Sequence, residues 1–188
     1  MEFRKDSAWA LVVPTSMGVR ITPVKRQPVH VSTTFEMQAT SAESNVLGVA
    51  ASLGLPTKVL TTLVKDNPIA RLIKDELSRR QIAYEGGEVD QGDPWGYRHQ
   101  FNIADCGYGM RGPRVQNDRA GEVGRTLNVK DFDLERLFEK EGVQILHPSG
   151  LIAALSPAPS EFCLMLAEPA KTAGPRIGFC LHYTAPFW

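Results

Sequence analysis

Thr40-Ser41-Ala42-Glu43-Ser44-Asn45-Val46-Leu47-Gly48-Val49-Ala50-Ala51-Ser52-Leu53-Gly54 is the stretch on which the reading of this chain turns. It opens on small hydroxyl residues, holds one polar side chain with a buried look, Asn45, and runs into an Ala-rich helix closed by Gly54. Small residues let a ligand approach the backbone, and a helix N-terminus offers unpaired N–H groups to an oxygen-rich partner. The same residues also make an ordinary strand-to-helix turn with Ser and Thr as caps. On the residues alone both readings stay open.

Upstream, Ala8 to Val13 is a continuous apolar run stopped by Pro14, which predicts a buried strand. Gly18 to Thr22 and Val29 to Phe35 are rich in Val, Ile and Thr and read as strands or a hairpin. Downstream, the helix over Ala42 to Leu53 ends at Gly54 and Pro56, and Thr57 to Val64 is again strand-like. Asp66 reads as an N-cap and Pro68 suits a first turn. Ile69, Leu72, Ile73 and Leu77 then fall on one helical face. The order β-α-β-α predicts a parallel sheet with covering helices.

From Ile82 to Leu127 glycines become dense and helical periodicity vanishes. Ile82–Val89, Tyr97–Ile103 and Arg114–Asn117 read as antiparallel strands of a small β insert over about 82–127, with strands from 18–36 as candidate additions. The α/β body would then take about 1–81 and 128–188. It closes with a short helix over Asp131 to Glu139, a strand at Val143 to Leu146, a helix from about Ala158 to Thr172 and a last strand at Arg176 to Leu181. Pro169 inside that helix should kink it or end it early.

The chain's 188 residues suffice for one good core. With 21 basic and 21 acidic residues the formal charge is zero, which gives no electrostatic reason for nucleic acid or an anionic membrane as partner. No apolar run approaches membrane length, and the first residues lack the apolar core of a signal peptide; a cytoplasmic protein is the expectation. Cys106, Cys163 and Cys180 are odd in number and far apart, so free thiols are expected, and the four histidines show no metal-binding spacing.

Gly107-Tyr108-Gly109-Met110-Arg111-Gly112 has the letters of the dinucleotide fingerprint, but Pro113 and a strand-like stretch follow where that motif needs a helix. A loop tip is the better reading. Arg111, Arg114, Arg119 and Arg125 cluster nearby, either as forks for a carboxylate or phosphate or as a solvated face with Asp118 and Glu122 as partners. His147 follows a predicted buried strand, on the edge where open α/β sheets place ligands, and reads as a satisfied core histidine. Neither a P-loop nor a Gly-x-Ser-x-Gly elbow occurs.

Taken in order, these segments resemble the PfkB (ribokinase-like) carbohydrate kinases, especially the 2-keto-3-deoxygluconate kinase-like members. Ser41-Ala42-Glu43-Ser44-Asn45-Val46 is similar to the family's sugar-binding signature, and Ala50 to Gly54 to the helix behind it. Val64 to Pro68 with Asp75-Glu76-Leu77, Arg114 to Ala120, His147 to Gly150 and Ala154 to Pro157 resemble later landmarks. The resemblance spans nearly the whole chain; its joint order is specific although each motif is short. It implies an α/β ribokinase-like parallel sheet with flanking helices, an inserted antiparallel β lid, and a homodimer through that lid. The implied activity is transfer of a phosphoryl group from ATP, with Mg²⁺, to a hydroxyl of a sugar or sugar acid. By resemblance, Asn45 and the backbone around Thr40 and Ser41 hold sugar hydroxyls. Arg114 approaches the acid or polyol end, and Tyr97 of the lid contributes.

The departures are specific. Thr40 and Ser41 stand where the family has a Gly pair, Thr15-Ser16 where it has a Gly-acidic step, and Phe179-Cys180-Leu181-His182-Tyr183-Thr184 where it has Phe-Asp-x-Asn-Tyr-Arg. The resemblance stops at Trp188, before the family's nucleotide-binding half. No residue matches its Gly-rich anion-hole segment or its catalytic aspartate. The expectation is the sugar-side portion of a carbohydrate kinase, inactive alone, with no catalytic residue assigned and no evident site for ATP or Mg²⁺. The alternatives are a non-catalytic sugar-binding or dimerisation module, and an enzyme that completes its nucleotide site with a partner chain.

Overall fold

A computed structural model describes residues 5–182. In chain order its elements are strands β1 (Trp9–Pro14), β2 (Gly18–Pro23) and β3 (Phe35–Thr40), helix α1 (Ala42–Ser52), strands β4 (Thr57–Leu60) and β5 (Leu63–Val64), and helix α2 (Pro68–Arg79). Strands β6 (Ile82–Glu85), β7 (Glu88–Val89), β8 (Phe101–Asp105), β9 (Arg114–Asp118) and β10 (Val143–Leu146) follow. Helices α3 (Gly150–Ala153) and α4 (Pro157–Ala173) then lead to strand β11 (Arg176–Ile177).

The apolar run of β1 lies inside a five-stranded parallel sheet ordered β11-β10-β1-β4-β6. Strand alternation divides its side chains between two cores. Val12 joins Leu60, Phe138, Leu146 and the α4 residues Phe162 and Leu166 on one face. Leu11 and Val13 join Leu47 of α1 and Ile73 and Leu77 of α2 on the other. Phe132 and Phe162 stack with centroids 5.0 Å apart beneath α4. A strand clad by helices on both faces must be apolar at consecutive positions, which is why β1 reads as an unbroken run.

Ile82–Glu85 does not belong to an antiparallel insert. It pairs parallel with β4 and forms one edge of the main sheet, since α2 brings the chain back across in a β-α-β crossover. The chain leaves the sheet at Gly86, where a Cβ would lie 1.6 Å from the Thr61 carbonyl oxygen, so only glycine fits. Thr57–Val64 is likewise two strands, because β5 turns away to pair with β7.

A second sheet, ordered β3-β2-β8-β9, stands beside the first. It is mixed: β2 runs antiparallel to β3 but parallel to β8, and β8 is antiparallel to β9. The expected strand over Val29–Phe35 is displaced to Phe35–Thr40. Pro28 closes a turn by accepting from the Val31 and Ser32 N–H groups, and the strict alternation Phe35-Glu36-Met37-Gln38-Ala39-Thr40 is the true strand signal. Gly107–Gly112 is the β8–β9 hairpin tip, held by reciprocal backbone bonds between Tyr108 and Arg111.

The α2 cap is Asn67, whose Oδ1 accepts from the Ile69 N–H at 2.9 Å, while Asp66 takes a left-handed φ of 53° ahead of it. The helix expected over Asp131–Glu139 is a 3₁₀ turn at Val129–Asp131 followed by a wide π turn at Arg136–Glu141. Pro169 does not end α4, which continues to Ala173 and stops at Gly174 in the left-handed conformation. No described helix is long and apolar enough to cross a membrane.

Candidate sugar-binding site

The β3–α1 junction is built by the hydroxyl residues that open the sequence reading. Ser41, with extended backbone, accepts at Oγ from the Ser44 N–H (2.8 Å), while Ser44 Oγ accepts from the Ser41 N–H (2.9 Å). This reciprocal capping occupies both the side chain and the amide of Ser41. Its hydroxyl is committed to the helix start. Asn45, one turn on, is exposed; the buried polar residues of the stretch are Ser41, Glu43 and Ser44.

Glu43 accepts hydrogen bonds from Thr15 Oγ1 at 2.7 Å and from Ser149 Oγ at 2.5 Å. One carboxylate thereby ties the ends of β1 and β10 to the start of α1. Both neighbours are hydroxyls that donate, one to each carboxylate oxygen. Glu43→Gln turns an amide N–H₂ toward one of the two hydroxyls and should destabilise the chain by about 1–3 kcal/mol, read as a lower urea midpoint at unchanged slope.

Thr40, Ser41, Ala42 and Asn45 form one wall of a cleft of about 270 Å³. The second sheet forms the facing wall, through Arg20, Gln100, Asn102, Asn117 and Arg119, while Leu151 and His182 complete the rim. Register explains the set. Arg20 pairs with Asn102, and Asn102 with Asn117, so these side chains share one sheet face. Asn102 Nδ2 donates to Asn117 Oδ1 at 2.5 Å along that row.

Arg119 and Glu122 sit where β9 rejoins the body. Arg119 Nη1 donates to Glu122 Oε1 at 2.6 Å, and Ser16 Oγ donates to the same oxygen at 2.5 Å. Glu122 is fully buried. Close by, His99 bridges the junction between the sheets. Its Nδ1–H donates to the Met17 carbonyl at 3.0 Å and its Nε2 accepts from the Val64 N–H at 3.3 Å. Burial pushes its pKa below the ordinary value, partly offset by the bond to Met17. The ring is therefore neutral, in one tautomer.

Thr40, Ser41 and Asn45 are thus brought together in the cleft. Arg114 is not: it borders a separate hollow with Val29, His30 and Asp105, because it stands three positions before Asn117 on β9 and alternation puts the two on opposite faces. Tyr97 is exposed and also outside the cleft. Of the arginine cluster only Arg119 reaches it, while Arg111 pairs with Asp105 and holds that carboxyl below its usual range. His147 is half-buried and does not line the cleft. Sequence reading missed Arg20, Gln100, Asn102 and Asn117, whose signal is the shared strand parity. Tyr183 and Thr184 lie outside the described residues.

A parallel sheet clad by helices, whose first strand leads into a second sheet, is the fold of PfkB family carbohydrate kinases over about half their length, and this chain has that fold. No family model matches the chain. A PfkB family carbohydrate kinase from Listeria grayi superimposes with a TM-score of 0.82 at 27% identity, covering 95% of this chain and 53% of that one. The 2-dehydro-3-deoxygluconokinase of Thermotoga maritima gives a TM-score of 0.84 at 21% identity over 96% and 52% of the two chains. A sugar kinase from Pyrococcus horikoshii in complex with ATP gives 0.76 at 15% identity over 95% and 55%. The chain spans about half the length of each of these structures.

Proposed function

We propose that this chain is the sugar-binding portion of a PfkB-type carbohydrate kinase, its cleft holding the sugar whose hydroxyl accepts a phosphoryl group from ATP. The observation that carries this reading is the lining of the cleft: hydroxyl, amide and guanidinium groups converge from two walls, the chemistry that recognises a polyhydroxylated molecule. Sugar kinases of matching fold support it.

The donor set does not fit a magnesium ion. Among the described residues no carboxylate lines the cleft, and no group of three His, Cys, Asp or Glu side chains is placed to hold a metal. The second sheet acts in this reading as a lid, and its far face suits self-association. Ile21, Met37 and Ile103 lie in register there, and Phe35 and Met37 are exposed.

Isothermal titration of the chain with D-glucose, D-fructose, D-ribose and D-gluconate tests the proposal, with ATP–Mg²⁺ turnover assayed in parallel. Binding of at least one sugar with no turnover is expected. Failure to bind any of them at millimolar concentration overturns the sugar-site reading, and turnover by the isolated chain overturns its description as the sugar-side portion alone.

A further inference from the structure

We propose that Gln100 determines specificity in this cleft, its amide oxygen accepting a hydrogen bond from a hydroxyl of the bound sugar; this rests on the sugar-site reading above. Gln100 immediately precedes β8 and is 5% exposed, yet its side chain lines the cleft. Its Nε2 donates to the Ser16 carbonyl at 3.5 Å. A carbonyl only accepts, so this contact orients the amide and leaves Oε1 as the end that needs a donor. Oε1 is buried and has no hydrogen-bond partner. An orphaned acceptor of this kind is costly and uncommon in folded proteins, and it marks a place where a donor is expected.

The backbone makes room for this side chain in a particular way. A Cβ on Gly18 would lie 2.1 Å from Gln100 Cγ and 2.5 Å from the Gln100 carbonyl oxygen, so the Gln100 side chain lies over β2 only because residue 18 has none. Two donors of the same wall already have other partners, Asn102 Nδ2 with Asn117 and Arg119 Nη1 with Glu122. A sugar hydroxyl supplies the missing O–H. A carboxylate in the same place would set oxygen against oxygen, so the ligand presents a hydroxyl-bearing carbon to this part of the second sheet.

The test is a cycle between residue and ligand hydroxyl. Titrations of the intact chain compare D-glucose, D-fructose, D-ribose and D-gluconate with their available monodeoxy counterparts, in the parent protein and in Gln100→Met, which keeps the shape and removes the acceptor. In the parent, at least one deoxy analogue of a sugar that binds should bind about 10- to 100-fold more weakly. In Gln100→Met that ratio should fall to near one, and Gln100→Glu, which keeps an acceptor, should restore it. Gln100→Leu reports the same cycle if the methionine variant fails to fold. A parent that binds no sugar overturns the site reading and this proposal with it. Sugar binding whose deoxy discrimination survives in the acceptor-free variants overturns the role of Gln100 alone.

Discussion

Lys58→Met is expected to lower the unfolding free energy by about 3 kcal/mol. Lys58 lies on β4, its side chain only 6% exposed, and its Nζ contacts Glu85 at 2.9 Å and Glu141 at 2.8 Å. Arg136 contacts the same two carboxylates, Trp9 Nε1 donates to Glu141 at 2.5 Å, and the Lys58 ammonium sits 4.4 Å from the Trp9 ring centroid. Two cations and two anions therefore close a neutral network across β1, β4, β6 and the wide turn at Arg136–Glu141. Methionine fills the volume but leaves two half-buried carboxylates on one guanidinium. Removing one partner of a buried pair is the expensive case, unlike replacing the whole pair. By size scaling, the loss lowers the melting temperature by about 6–12 °C. Lys171→Met, which breaks the exposed Lys171–Glu168 pair, should stay within about 0.5 kcal/mol. Equal effects of the two variants would show that the network contributes nothing special.

The same network sets an acid limb. Burial pushes the Glu141 carboxyl up, but hydrogen bonds from Lys58 and Trp9 and the charges of Lys58 and Arg136 outweigh it and hold the group below its ordinary 4.5. A carboxyl depressed in the folded state stabilises fully above its unfolded pKa, and that stability is lost as pH falls through the folded value. Lys58→Met removes two of those opposing effects, so the acid unfolding midpoint should move to higher pH. A midpoint that does not move would show that Glu141 is held by Arg136 and Trp9 alone.

How much of this was legible in the sequence depended on how local each feature is. β1 announced itself because both its faces are buried, and α1 because Ser41 caps it and Gly54 follows it. β6 was misassigned because a two-residue exit through Gly86-Gly87 hides whether the strand before it pairs with the main sheet or with an insert. Besides β3, β2 pairs with β8, a parallel neighbour some eighty residues away, which no local pattern reveals. The site follows the same rule. Thr40, Ser41 and Asn45 lie within six residues of one another, so a local reading already groups them on one wall of the cleft. The facing wall depends on which parity of β8 and β9 looks toward α1, a tertiary fact that separates Asn117 from Arg114. Nothing local marks Glu43 or Glu122 as buried; both are, because distant hydroxyls, Ser149 for one and Ser16 for the other, donate to them.

Glu122→Ala should cost about 3–4 kcal/mol and should also change what the cleft prefers. Glu122 is fully buried, and its Oε1 receives both Ser16 and Arg119, so truncation strands a buried hydroxyl and takes the carboxylate partner from a guanidinium whose side chain is only 16% exposed. Arg119 lines the cleft, and in the parent its charge is balanced from behind by Glu122, leaving Arg20 as the exposed cation on that wall. Without Glu122 the carboxylate behind Arg119 is gone, and the wall that carries Arg20 and Arg119 becomes more positive. Binding of D-gluconate relative to D-glucose should therefore rise in Glu122→Ala, and the gain should shrink with added salt. Glu122→Gln keeps one acceptor and should lie between parent and alanine on both scales. The double variant Glu122→Ala/Arg119→Ala separates the two effects. If the pair acts as one unit, the double should cost less than the sum of the singles by about 0.5–3 kcal/mol and lose the preference for gluconate. Additive costs with an unchanged sugar preference would mean that Glu122 anchors Ser16 and the turn, and that Arg119 reads the ligand without its help.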